Sequence, residues 1–86
     1  MDLHQLKSVL CEIFEEKNVK PYAKGVRIII DYQNVPYCIV LRLENDRLVL
    51  DRDAVDENED NYEEAYKKAY KMLIQNKEKF HDNIII

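Results

Sequence analysis

Residues 25–51 read GVRIIIDYQNVPYCIVLRLENDRLVLD, and this stretch decides the fold. Apolar side chains recur there at every second position: Val26, Ile28 and Ile30, then Tyr37, Ile39, Leu41 and Leu43, then Leu48 and Leu50. A period of two belongs to strands, because successive side chains point to opposite faces of a sheet. The alternation breaks at Gln33-Asn34-Val35-Pro36 and again at Glu44-Asn45-Asp46-Arg47. Asn and Asp bond their own backbone and tolerate turn geometry. The stretch therefore predicts three antiparallel strands, at 26–32, 37–43 and 48–51.

The parity that assembles one apolar face leaves Arg27, Ile29, Asp31, Cys38, Val40, Arg42, Val49 and Asp51 on the other. A plainly solvated face would be polar throughout. Here Ile29, Val40 and Val49 form an aliphatic stripe flanked by charges of both signs. Strand propensity accounts for β-branched residues on such a face. A surface for self-association or for another protein accounts for them as well.

Helical periodicity brackets the strands. Leu3, Leu6, Val9, Leu10, Ile13 and Phe14 fit i, i+3, i+4, i+7 spacing over 3–17, with Asp2 and Gln5 at capping-box distance. Asn18 and Pro21 close that segment. Tyr62, Ala65, Tyr66, Ala69, Tyr70, Met72 and Leu73 give a second apolar stripe over 61–77. Asp60 with Glu63, or Asn61 with Glu64, is placed to cap it, and Glu63–Lys67 and Glu64–Lys68 are i,i+4 pairs in the favourable order. The expected fold is α+β, a three-stranded antiparallel sheet with two helices on one face, in the order αβββα. Residues 1–86 are read as a single domain, with 80–86 as an apolar tail that is loose, tucked under a helix, paired as a short edge strand or met by a partner.

Between the last strand and the second helix the charge changes sign. Residues 51–64 hold eight acids, Asp51, Asp53, Asp56, Glu57, Glu59, Asp60, Glu63 and Glu64, against the single base Arg52. Lys67, Lys68, Lys71, Lys77 and Lys79 follow. Such a step fits a solvated loop feeding a helix whose ends match its dipole, and it also fits a surface built for recognition.

Composition narrows the function classes. The chain is 86 residues long with a formal net charge of −4, which disfavours neutralising nucleic-acid phosphates. Hydrophobic residues at 47% and charged residues at 35% describe a folding chain rather than a disordered one. No apolar run is long enough to span a bilayer, and the acids of residues 1–17 do not fit a secretory signal. Cys11 and Cys38 are too few for a disulfide scaffold and read as reduced thiols of a cytoplasmic protein.

No motif carries chemistry. Asp56-x-Asn58-x-Asp60 matches the first half of an EF-hand loop, but Asn61 stands where that loop needs Gly and Lys67 where it needs Glu. His4 and His81 have no ligand partners at metal spacing, neither cysteine has a neighbouring histidine, and no glycine-rich loop exists to cradle phosphate. Tyr62, Tyr66 and Tyr70 form an i,i+4 ladder that reads as a core edge. We therefore expect no metal, no cofactor and no enzymatic activity.

The order helix–strand–strand–strand–helix, with Ala65 and Ala69 at helical spacing, resembles the double-stranded RNA-binding domain. That resemblance implies lysines at the start of the second helix; Asp60, Glu63 and Glu64 stand there instead and would repel phosphate. Size, acidity and element order are also similar to phage-encoded inhibitors that mimic nucleic acid, anti-CRISPR proteins among them. This likeness implies a protein partner with a basic nucleic-acid-binding surface, met by the eight acids of 51–64, and no direct contact with nucleic acid or membrane. The alternatives are a structural protein that dimerises through Ile29, Val40 and Val49 or through the Ile84–Ile86 tail, and a divergent RNA-binding-like module.

Overall fold

A computed structural model describes residues 1–52, 61–80 and 84–86. Among them, helix α1 (Leu3–Phe14) leads into strands β1 (Val19–Tyr22), β2 (Gly25–Tyr32), β3 (Val35–Glu44) and β4 (Arg47–Arg52), and helix α2 (Tyr62–Gln75) follows. The fold is α+β as expected, but the sheet has four strands in the order β1-β2-β3-β4, every neighbouring pair antiparallel. The observed order is αββββα, not αβββα. The extra strand also departs from the three-stranded RNA-binding domain that the sequence resembles.

The missed strand has little signal of its own. Of Val19-Lys20-Pro21-Tyr22 only Val19 is buried. Four residues with one buried side chain give no periodicity to read. Proline, which cannot donate to a ladder, is tolerated because β1 is an edge. What creates the strand is the way α1 ends. The helix stops at Phe14, three residues short of the expected end, with Glu15 at a φ of 71°. A 3₁₀ turn over Glu16–Asn18 then delivers Val19 opposite Ile28.

The two later hairpins are tighter than four-residue turns. Tyr32 pairs with Val35 and Glu44 with Arg47, so Gln33-Asn34 and Asn45-Asp46 are two-residue loops. All four loop residues have positive φ, 51° and 67° then 51° and 64°. That is the type I′ pattern, whose twist matches the flanking strands. Pro36 is thereby drawn into β3 opposite Asp31. It lies before Ile39, where the described pairing with β4 ends, so among the described strands only β2 flanks it there.

The apolar face is as the alternation predicts. Val26, Ile28, Ile30, Tyr37, Ile39, Leu41 and Leu48 are buried, with Leu43 and Leu50 packed at the margin. They meet Leu6, Val9, Leu10 and Phe14 of α1 and Tyr62, Ala65, Ala69 and Leu73 of α2. The two fully buried alanines let α2 approach the sheet closely. Asp2 and Gln5 form the expected capping box, at 2.8 and 2.9 Å.

The start of α2 differs from expectation. Asn61 sits in the left-handed region and makes no side-chain cap. Asp60 lies outside the described residues. Lys67 reaches both Glu63 and Glu64, at 3.9 and 3.7 Å, while Lys68 leaves the helix surface and donates to the carbonyl of Asp31 at 2.6 Å. Residue 84 is buried in the core, and Ile85 bridges in parallel to Arg47 on the free edge of β4.

Candidate functional site

Both helices pack on the apolar face, so the opposite face of the sheet carries no helix among the described residues. Register places its side chains. Arg27 stands opposite Val40, Val40 opposite Asp51, Ile29 opposite Cys38, and Arg42 opposite Val49. Ile29, Val40 and Val49 therefore share the face but run diagonally across it, with a charged residue directly opposite Val40 and Val49 and Cys38 opposite Ile29.

Two arginines are folded down along this face. The Arg27 guanidinium lies 5.6 Å from the centre of the Tyr22 ring, a cation–π distance. Arg42 forks between Asp51 and Glu44, the latter at 3.6 Å. The stem of Arg42 crosses Gly25: a β-carbon there would stand 2.9 Å from Arg42 Cγ and closer still to the Leu41 carbonyl oxygen. The glycine exists for that close approach. Val40, between Arg27, Arg42 and Asp51, is only 6% exposed, while Ile29 and Val49 are half-buried. What this face presents to solvent is thus Tyr22, Lys20, the two arginine heads and the flanks of Ile29 and Val49.

Of the eight acids, Asp51, Glu63 and Glu64 lie among the described residues, on two sides of the sheet. Asp51 is on the helix-free face, held by Arg42. Glu63 and Glu64 are exposed on the first turn of α2, on the helix side of the sheet, and both pair with Lys67. Asp53, Asp56, Glu57, Glu59 and Asp60 lie outside the described residues, as does His81.

The tyrosine ladder has divided roles. The Tyr62 hydroxyl donates to the Cys38 carbonyl at 3.1 Å, Tyr66 packs against the core, and the Tyr70 hydroxyl donates to the Ile86 carbonyl at 3.3 Å. Parity and burial alone could not assign these partners, which come from β3 and from the far end of the chain.

Two depressions mark the helix side. One of about 210 Å³ lies between the helices, walled by Ile13, Phe14, Ile30 and Met72 and rimmed by Glu15 and Lys68. The other, of about 300 Å³, runs along α1 past His4, Lys7, Ser8 and Cys11 to Glu16. Ligand pockets start at about 300 Å³. His4 and Cys11 are two helical turns apart, and no group of three metal-ligating side chains occurs among the described residues. Cys11 and Cys38 are each half-buried. No described helix is long and apolar enough to cross a membrane.

Comparison with known proteins finds no matching family model, no matching curated protein and no matching solved structure.

Proposed function

We propose that this chain is a small, non-enzymatic protein-binding module that uses the helix-free face of its sheet. One observation carries the reading: a four-stranded sheet with both helices on one side, whose other side holds Tyr22, Arg27, Ile29, Arg42 and Val49. Tyrosine and arginine are the residue types enriched where proteins meet, and aliphatic flanks supply the area that burial rewards. Ile29 is the probe of choice, because Val40 is already covered and a charge there would test the fold instead. A protein captured by the wild type, lost by Ile29→Lys and retained by a variant with Asp56, Glu57, Glu59 and Asp60 changed to Asn or Gln supports this reading. Retention by Ile29→Lys sinks it.

The exposure of Glu63 and Glu64 at the start of α2 favours a second reading. In it the acids of 51–64 occupy a basic site on a nucleic-acid-handling protein, as an inhibitor of the phage-encoded, nucleic-acid-mimicking type. Carboxylates steer fast, salt-sensitive association with such a site. The same experiment separates the two: here the four-acid variant loses the partner and Ile29→Lys keeps it.

A further inference from the structure

The two edges of the sheet are protected unequally. On β1 the edge is four residues long and carries Lys20 and Pro21, the usual devices that prevent strand pairing. On β4 the edge carries Leu48-Val49-Leu50, with neither lysine nor proline. It is guarded instead by residues 84–86. Ile85 donates its N–H to the Asp46 carbonyl at 3.0 Å and accepts from the Leu48 N–H at 2.8 Å. Ile84, 4% exposed, anchors this strap in the core, and the Tyr70 hydroxyl holds the Ile86 carbonyl.

In an antiparallel pair, alternate residues turn their main chain away from the partner strand. Leu48 does so, and Leu50, two residues on, follows. The strap ends its pairing at Leu48, and among the described residues no hydrogen bond joins the outward groups of Leu50 to a neighbouring segment. The strap therefore covers the first half of an apolar edge and leaves the second half open.

We infer that the β4 edge is a strand-pairing surface, occupied in the monomer by residues 84–86, and that a second copy is its occupant when the strap leaves. The second copy fits by symmetry. Two β4 strands related by a two-fold axis at Leu50 pair antiparallel, Leu48 facing Arg52 in each direction, as an isologous contact requires. This inference is independent of the sheet-face reading, since it concerns main-chain groups at the edge.

Ile85→Pro removes the N–H that Asp46 accepts while leaving Ile84 and Ile86 in place. By sedimentation the wild type is expected to be monomeric at high micromolar concentration and Ile85→Pro to form a concentration-dependent dimer with unchanged circular dichroism. Adding Leu50→Pro, which removes the outward N–H at the centre of the edge and leaves the helix-free face unchanged, returns the variant to monomer. A folded Ile85→Pro that stays monomeric overturns the inference, as does a double variant that associates as strongly as the single one. Should Ile85→Pro fail to fold, Tyr70→Phe tests the strap more gently. Its loss of the Ile86 contact is expected to speed amide exchange at Leu48 several-fold while Leu41 is unchanged; equal exchange at Leu48 in both proteins overturns the guard.

Discussion

The hydroxyl of Tyr62 donates to the main-chain carbonyl of Cys38 at 3.1 Å, and the Tyr62 ring meets Tyr37 edge-on at 5.9 Å. Tyr62 is the first residue of α2, whose start has no side-chain cap. A tertiary contact to β3 thus does the positioning that a capping side chain does in α1. Tyr62→Phe keeps the ring contact and removes the hydrogen bond, at an expected cost of about 1 kcal/mol. Tyr62→Ala removes both, for about 3–5 kcal/mol. Urea unfolding measures the two; a Phe variant as stable as the wild type would deny the hydroxyl any part in holding the helix.

Gly25 predicts a steric cost without backbone strain, since its φ is not positive. Gly25→Ala drives a methyl into the Leu41 carbonyl and the Arg42 stem. Overpacking of this kind costs about 1–3 kcal/mol. The nearer obstacle is main chain, so Gly25→Ala with Arg42→Ala should recover little of the loss. Full recovery in the double variant, read from the denaturation midpoint, would place the clash in the side chain alone.

Glu15 predicts the opposite sign. Its φ of 71° and ψ of 137° put a residue with a β-carbon where glycine is at ease. Strain of this sort costs about 1–3 kcal/mol. The ion pair it gives up, to Lys17 at 3.6 Å, is exposed on both sides and contributes little. Extra freedom of glycine in the unfolded chain returns about 0.4–1 kcal/mol of the gain. Glu15→Gly should therefore raise the melting temperature modestly, and a lower one would mean that Glu15 is not strained.

The chain is expected not to bind nucleic acid. Glu63 and Glu64 stand exposed where an RNA-binding helix would present lysines, and Lys68 is turned to the Asp31 carbonyl. Anisotropy titrations with duplex RNA and DNA at low and high salt should show no tight, salt-dependent binding. Binding that falls steeply with salt would promote Lys67 and Lys71 to phosphate contacts.

Much of the fold is legible in short-range pattern. The alternation from Val26 to Leu50 assigns every buried residue of β2, β3 and β4 to the apolar face except Gly25 and Val40, which are buried on the opposite side. Helical spacing finds both helices, and Asp2 with Gln5 marks where the first begins. Of the candidate sites, the helix-free face follows from parity, but the burial of Val40 on that face does not. The run of acids reads as one feature along the chain, whereas the sheet separates Asp51 from Glu63 and Glu64.

The sequence by itself determined which side chains are driven from water, because hydrophobic burial acts residue by residue and leaves a period of two or 3.6. Only the tertiary structure decided that Val19–Tyr22 becomes a strand, that Arg42 holds Asp51, and that Ile85 closes half of the β4 edge. The Arg42–Asp51 pair depends on strand register; the strand and the closed edge depend on main-chain groups, which are alike at every non-proline residue and leave no pattern in the sequence. Which of them pair is settled by where the packed core brings the backbone.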